Sequence, residues 1–205
     1  PEWAIADYAA LTSGLTDVPI PTLPAEHIPY LLNDSGAVAV FTSTPEQAAK
    51  IAEIKSQCAA LSHVIGFGDA LRPGETATLE QVRARGQAAD SPARTEAYRQ
   101  QALAVTPDQI ATLIYTSGTT GRPKGVMLTH DNLYSNVMAG AAAIPFGGND
   151  VCLSFLPLSH SFARMADNYL MFHTGTSIAY AESIDTVPVN MTEVHPTLVL
   201  SVPRL

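Results

Sequence analysis

The sequence predicts an α/β fold with mostly parallel sheets flanked by helices. Two observations carry this prediction. Short apolar runs rich in β-branched residues alternate along the chain with longer amphipathic or polar segments. The composition agrees, because 205 residues of which 46% are hydrophobic and 15% charged can bury a sizeable core. Alternation of this kind is typical of parallel strands joined by helical crossovers.

Strands are predicted where short apolar runs lie between turn residues, because such runs are too short for helices. In chain order they cover residues 37–41, 63–67, 110–116, 125–129, 151–156, 177–181 and 197–202. Helices are predicted at the start of the chain, over 24–34, from Thr44, from Asp131 and over 159–173. The polar stretch 68–104 is expected to form solvent-facing helices and loops.

Two helix starts carry capping signals. Thr44 is expected to be an N-cap, with Pro45 at the first helical position and Gln47 completing a capping box. His130 and Asp131 are expected to cap the helix that they begin.

Charge and cysteine content exclude some classes of function. Eleven Lys and Arg against nineteen Asp and Glu give a net charge of −8 without a basic cluster, so nucleic acid is not an expected partner. No apolar run approaches the roughly 20 residues of a membrane span. Cys58 and Cys152 lack CxxC spacing and are expected to serve as small apolar residues in a reducing compartment, which favours a cytoplasmic location. Peripheral association with the inner face of a membrane and the oligomeric state stay open.

The stretch YTSGTTGRPKG, residues 115–125, follows a predicted strand and contains no apolar residue between Thr116 and Lys124. Glycines permit close backbone approach to an anion, backbone amides and hydroxyls donate hydrogen bonds, and a lysine adds a point charge. The stretch therefore predicts a phosphate site, and the alternative is a flexible surface linker. A GxxxxGK[ST] loop does not fit, because Pro123 precedes the lysine and Gly125 takes the place of the Ser or Thr.

A second motif, PLSHSFAR, places His160 at the start of a predicted helix, with Arg164 one turn later on the same face. Taken alone, a histidine that begins a helix is more often a cap or packing residue than a functional one. Met165, Leu170 and Phe172 are interpreted as helix packing rather than as the lining of a ligand tunnel.

The stretch YTSGTTGRPKGVMLTHDNL resembles the phosphate-loop signature of the AMP-forming adenylate enzymes, which include acyl-CoA synthetases, luciferases and peptide-synthetase adenylation domains. Four further stretches, which bring the resemblance to nearly the whole chain, are similar to long-chain fatty acyl-CoA synthetases: PEWAIADYAAL, LLNDSGAVAVF, FLPLSHSFAR and IAYAESIDTVP…PTLVLSVPRL. The resemblance implies that residues 1–205 are part of the large N-terminal domain of an acyl-adenylate-forming enzyme. Both ends look cut, so the C-terminal domain and the adenine and ribose sites are expected elsewhere, and the piece alone is expected to be inactive.

The reaction implied by the resemblance has two steps. A fatty-acid carboxylate attacks the α-phosphate of Mg-ATP and expels pyrophosphate, and the thiol of coenzyme A then takes the acyl group. By the same resemblance Lys124 would pair with the β- and γ-phosphates. His160 would lie beside the acyl carboxylate and the α-phosphate, where its imidazole would be able to donate to a developing oxyanion. Thr116 is the candidate magnesium contact. The residues that would cradle the phosphates are Thr116, Ser117, Gly118, Thr119, Thr120 and Gly121.

Two alternatives to a coenzyme A ligase remain. One is a fatty acyl-AMP ligase that does not use coenzyme A. The other, a non-catalytic nucleotide- or acyl-binding homologue, is disfavoured by the intact phosphate-loop signature.

One residue departs from the pattern of the family. Ala163 stands where a Glu usually precedes the arginine, which leaves a Glu–Arg pairing at Arg164 in doubt.

Overall fold

The structure, a computed structural model, describes residues 1–116 and 122–202. These residues divide into two compact units. The first unit comprises Glu2–Val105 and Tyr115–Gly125, and the second comprises Pro1, Thr106–Ile114 and the chain from Val126 onward.

The first unit contains a parallel sheet in the order β1-β2-β3, with Val40 paired to Val64 and Ile65 paired to Ala77. Its strands are β1 (Ala39–Thr42), β2 (His63–Gly66) and β3 (Ala77–Thr78). Its α-helices are α1 (Glu2–Thr12), α2 (Ile28–Asp34), α3 (Pro45–Ile54), α4 (Leu79–Ala88) and α5 (Pro92–Leu103), with short 3₁₀ turns at Ala25–His27 and Lys55–Gln57.

The core of this unit forms where α2 and α3 pack on the sheet. Apolar residues at spacings of three and four put one stripe of each helix against the strands. The buried cluster consists of Ile28, Leu32, Ile51, Ile54, Cys58, Leu61 and Val64. The burial of each Ile, Leu or Val side chain in this cluster contributes roughly 1.5–3 kcal/mol to the stability of the fold. Cys58 is a free, buried thiol, as the sequence predicts.

The second unit contains another parallel sheet, in the order β7-β6-β8. Its strands are β6 (Val151–Ser154), β7 (Ser177–Tyr180) and β8 (Leu198–Val199). Its helices are α6 (His130–Ala143), α7 (Ser161–Ala163), a π-helix (Arg164–Leu170), α8 (Met171–Thr174) and α9 (Val187–Val194). The α6 helix packs closely on the π-helix, since a Cβ built on Gly140 would lie 2.9 Å from a methyl carbon of Leu170. The mixed α/β fold with parallel sheets flanked by helices is thus confirmed.

Two strands form a separate ladder, β4 (Ile110–Thr116) with β5 (Lys124–Thr129). The amide of His130 donates to the carbonyl of Gln109 at 3.1 Å, so the end of β5 lies beside the beginning of β4. The strands therefore run in opposite directions, and Thr116 and Lys124 lie at the same end of the ladder.

Of the two capping predictions, one is wrong and the other is half confirmed. The cap of α6 is Thr129, not His130: its Oγ1 accepts from the amide of Asn132 at 3.2 Å, and the Asn132 side chain accepts from the Thr129 amide at 3.0 Å. At α3 the Thr44 side chain accepts from the Gln47 amide at 3.3 Å as expected. The Gln47 side chain, however, accepts from Ser43, so the capping box is only half formed.

Candidate functional site

Thr116 and Lys124 are the two candidate phosphate-binding residues that the structure places. Thr116 ends β4, Lys124 begins β5, and both side chains are exposed. An ammonium and a hydroxyl at one end of a strand ladder are well placed to meet an anion from solvent. The remaining candidates lie outside the described residues: Ser117, Gly118, Thr119, Thr120 and Gly121.

The residue before Thr116 is tied to helix α2. The Tyr115 hydroxyl donates to Oδ2 of Asp34 at 2.7 Å, and Asp34 is the last residue of that helix. Burial and then this hydrogen bond raise the pKa of Tyr115 well above its usual value, so the phenol keeps its proton and remains a donor. The end of β4 is thereby fixed to a helix terminus.

The residue before Lys124 is tied to the same helix. The Tyr30 hydroxyl donates to the backbone carbonyl of Pro123 at 3.0 Å. The guanidinium of Arg122 lies 5.8 Å from the Tyr30 ring centroid, within the range of a cation–π contact. The rings of Tyr30 and Tyr115 meet edge to face with centroids 6.4 Å apart. Sequence reasoning missed Tyr30 and Asp34, although their spacing of four residues puts both on one face of α2.

Gly125 allows this arrangement at close range. A Cβ built on Gly125 would lie 3.2 Å from a ring carbon of Tyr115 and 3.4 Å from its hydroxyl. Such contacts are tighter than ordinary van der Waals packing, and the ring has little freedom to retreat because Asp34 holds its hydroxyl. The glycine after the lysine is thus explained by packing.

His160, the other candidate catalytic residue, belongs to the second unit and is exposed. It is the N-cap of α7, and its Nδ1 accepts a hydrogen bond from the Phe162 amide at 3.3 Å. In the neutral ring this acceptor role leaves the proton on Nε2. The side chain therefore presents an N–H donor on the side away from the cap.

The prediction that Arg164 shares the face of His160 is wrong, because Arg164 is 1% exposed while His160 is open to solvent. Its Nη1 donates to Oγ1 of Thr112 at 2.7 Å, and its guanidinium lies 5.3 Å from the Tyr169 ring centroid. Arg164 thus anchors the π-helix to β4.

The π-helix buries two further polar side chains. Ser154 donates to Oδ2 of Asp167 at 3.1 Å, and Tyr180 donates to Oδ1 of Asn168 at 3.3 Å. Burial raises the pKa of Asp167 to about 6. Burial and then the nearby Asp167 carboxyl raise the pKa of Cys152 to about 12, so this thiol is an apolar core residue rather than a nucleophile.

The nearby apolar candidates divide between core and surface. Leu170 is buried, as the packing interpretation predicts, but Phe172 is 66% exposed and does not belong to the core.

Within residues 1–116 and 122–202, no group of three or more His, Cys, Asp or Glu side chains is arranged to hold a metal ion. None of the helices in these two ranges combines the length and the apolar character that a membrane span requires.

Fold and site together define an α/β protein with a candidate phosphate-binding stretch, residues 115–125, at the end of two paired strands. The model of the family described as AMP-binding enzyme matches residues 1–205, and the chain therefore belongs to that family.

Relatives agree with this assignment. The chain is 38% identical over its whole length to the long-chain-fatty-acid–CoA ligase FadD15 of Mycobacterium bovis, covering 33% of that protein. It is 32% identical to the long-chain-fatty-acid–CoA ligase 5 of Rattus norvegicus, covering 31% of it. The chain thus spans about a third of the length of the curated relatives it matches.

A solved structure supports the fold. The inhibitor-bound N-terminal domain of FACL13 from Mycobacterium tuberculosis superposes with a TM-score of 0.79 at 28% identity, over 99% of this chain and 47% of that one. A long-chain-fatty-acid–CoA ligase from Archaeoglobus fulgidus superposes with a TM-score of 0.74, but at 22% identity it bears on the fold alone. Both comparisons agree with the parallel α/β architecture.

Proposed function

We propose that the protein to which this chain belongs is a long-chain fatty acid–CoA ligase that works through an acyl-adenylate. A carboxylate oxygen of the fatty acid attacks the α-phosphorus of ATP and pyrophosphate leaves. The thiol of coenzyme A then attacks the acyl carbon, loses its proton, and AMP leaves with the carboxylate oxygen. The observation that carries the proposal is the exposed pair Thr116 and Lys124 at the two ends of a Ser/Thr/Gly stretch, in a member of the AMP-binding family.

Lys124 neutralises the β- and γ-phosphates in this proposal. Pyrophosphate gains negative charge as it leaves, so a fixed cation beside it lowers the barrier more than it strengthens ground-state binding. Hydroxyls and backbone amides supply further donors around the same phosphates. The residues proposed for this second role are Thr116, Ser117, Gly118, Thr119, Thr120 and Gly121.

Magnesium fits the donors of the loop. Mg²⁺ is commonly held by substrate phosphates, water and one or two protein oxygens rather than by a protein cage. The Thr116 hydroxyl is exposed at the end of β4 and is a candidate oxygen. When bound, the ion would neutralise phosphate charge beside Lys124.

His160 acts in the proposal as a hydrogen-bond donor. Because Nδ1 is occupied by the Phe162 amide, the Nε2 proton is directed away from the cap and is able to meet an oxyanion that develops at the acyl carboxylate or the α-phosphate. This role does not require the imidazole to take up a proton.

The proposal also covers organisation and location. Residues 1–205 form part of the N-terminal domain of a longer enzyme, and the remainder supplies the adenine and ribose sites and the C-terminal domain. Cys58 and Cys152 are both free and buried, which suits a reducing compartment and supports a cytoplasmic location. Peripheral membrane association stays a prediction.

The experiment is a thioester assay with the full-length protein, ATP, magnesium, coenzyme A and saturated fatty acids of increasing length. Each buried methylene contributes about 0.8 kcal/mol, so kcat/KM should rise about fourfold per methylene until the acyl site is filled. A preference for acetate, amino acids or aromatic acids would overturn the substrate class. Acyl-AMP that accumulates without thioester would instead identify a fatty acyl-AMP ligase.

A further inference from the structure

We propose that Tyr30 and Asp34 of helix α2 are positioning residues that set the places of Lys124 and Thr116. The proposal rests on the proposed function, because it assigns to these two side chains the alignment of the same phosphate site. Tyr30 bonds to the residue before Lys124, and Asp34 bonds to the residue before Thr116.

The two bonds hold both sides of the phosphate stretch from one helix. The Tyr115 hydroxyl and the Asp34 carboxyl meet at 2.7 Å, and the Tyr30 hydroxyl and the Pro123 carbonyl meet at 3.0 Å. The edge-to-face contact of the two tyrosine rings joins these bonds into one cluster. A shift of α2 would therefore move both flanks together and leave their separation unchanged.

The helix that carries the cluster is itself firmly held. Three residues on its other side are 7%, 2% and 3% exposed and pack into the unit: Ile28, Leu31 and Leu32. The Ser35 hydroxyl donates to the Leu31 carbonyl at 2.7 Å, and Gly36 ends the helix with a φ of 66°. A site gains precision when its supporting side chains come from a rigid element, and α2 meets this condition.

The acceptor on the lysine side is well suited to positioning. Pro123 has a fixed φ, so a bond to its carbonyl restricts the peptide plane that leads directly into Lys124. On the other side, the raised pKa of Tyr115 keeps its hydroxyl a donor over the working pH range. Neither Tyr30 nor Asp34 needs to touch a phosphate for this effect.

If Tyr30 and Asp34 had a purely structural role, their substitution would lower the stability of the protein and every activity together. Variants of the full-length protein separate this role from positioning. The variants are Tyr30→Phe, Tyr115→Phe, Asp34→Ala and the double variant Tyr115→Phe/Asp34→Ala. The matched control is Tyr98→Phe, which also removes a hydroxyl bonded within the first unit, at 2.6 Å from Oγ1 of Thr12, but away from both flanks.

The first readout is binding of magnesium pyrophosphate by calorimetry, which does not depend on turnover. We expect about tenfold weaker binding in Tyr115→Phe and in Asp34→Ala, and about threefold to tenfold weaker binding in Tyr30→Phe. The double variant should bind pyrophosphate no more weakly than either of its single variants, because each single change already removes the Tyr115–Asp34 bond. The control should bind like the wild type.

The second readout is the capture of added acyl-AMP by coenzyme A, which involves no pyrophosphate. We expect this rate to be unchanged in all variants, whereas a general loss of folding would lower it together with pyrophosphate binding. The positioning role would be overturned if the three single variants bound pyrophosphate as tightly as the wild type does. It would also be overturned if the wild-type protein bound no pyrophosphate. A wild type that binds pyrophosphate but makes no acyl-AMP would overturn the proposed function alone.

Discussion

The two units differ in how exposed their polar side chains are where a helix bonds to a strand. In the first unit, Asp34 is exposed and Tyr115 half-buried, and their bond lies next to an open lysine. In the second, Arg164 and Asp167 are 1% and 0% exposed and bond to side chains on strands. The difference teaches that one cluster leaves a charged side chain open to solvent, where the proposed function places a ligand, while the other fixes a helix within a core. Substitutions in the first should therefore change activity, and substitutions in the second should change stability.

The largest effect is expected at Lys124. Lys124→Ala in the full-length protein should lower ATP–pyrophosphate exchange by about 30- to 1,000-fold, or about 2–4 kcal/mol, because the departing pyrophosphate loses its cation. Thermal stability should stay unchanged, since the side chain is exposed. Lys55→Ala, a lysine change elsewhere in the first unit, is the control; normal exchange in Lys124→Ala would remove Lys124 from the site.

At His160 two substitutions separate donation from capping. His160→Ala removes both roles, whereas His160→Asn keeps a side chain that is able to cap α7. If Nε2 donates in the transition state, both variants should lose about 100-fold in adenylation. Recovery of the rate in His160→Asn, measured by pyrophosphate exchange, would reduce the residue to a cap.

Asp167 should control stability through pH, not activity. Its folded pKa of about 6 lies above the ordinary value of 3.8, so between these values the folded protein keeps a proton that the unfolded chain has lost. The free energy of unfolding should therefore fall as pH rises from about 4 through about 6, by roughly 2–3 kcal/mol. Asp167→Asn should abolish this decline in denaturant titrations.

Asp150 in the same unit provides a control of opposite sign. Hydrogen bonds from the Gly147 amide and the Thr197 hydroxyl lower the pKa of Asp150, so its contribution to stability is present above the ordinary value and is lost as pH falls. Asp150→Asn should change the profile only at the acid end. Equal profiles for Asp167→Asn and the wild type would show that the buried carboxyl is solvated.

The smallest effect is expected at Gly125. Gly125→Ala brings a Cβ to about 3.2 Å from the Tyr115 ring and should cost on the order of 1 kcal/mol of stability. In a Tyr115→Ala background the obstructing ring is absent, so Gly125→Ala should cause no further loss of stability. A double-mutant cycle on the unfolding free energy measures this coupling, and strict additivity would mean that the ring and residue 125 do not interact.

The sequence predicts most of the secondary structure because the signals are local. The apolar runs of β1, β2 and β4 lie between turn residues, and Thr44 precedes a proline at a helix start. The two-residue strand β3 was not predicted, since it exists by pairing with β2, a contact that local patterns do not contain. Helix α9 was also missed, because its Val187-Pro188 start resembles an extended segment.

The burial of the π-helix shows where local patterns fail. Arg164, Asp167 and Asn168 stand at positions i, i+3 and i+4, a polar stripe that normally predicts a solvent face. The structure buries this stripe because hydroxyls from three strands supply partners, namely Thr112, Ser154 and Tyr180. Such partners become visible only once the chain is folded.

The candidate site shows the same division. The types and order of residues in 115–125 predict phosphate binding, because glycines, hydroxyls and a lysine suit an anion. The support from Tyr30 and Asp34 depends on α2 lying beside the strand ladder, 81 residues away in sequence for the Asp34–Tyr115 bond. The residue types of the candidate site can therefore be taken from the sequence, whereas its packing against α2 cannot, and the phosphate-binding role stays a prediction.

Isotope transfer tests the central claim most directly. The full-length protein is supplied with palmitate labelled with ¹⁸O in both carboxylate oxygens, together with ATP, magnesium and coenzyme A, and the AMP and thioester are analysed by mass spectrometry. Because the carboxylate oxygen that attacks the α-phosphorus leaves with AMP, we expect one ¹⁸O in each AMP and one in each thioester. Thioester formed with unlabelled AMP, or with ADP and phosphate as products, would contradict an acyl-adenylate and with it the assigned roles of Thr116, Lys124 and His160.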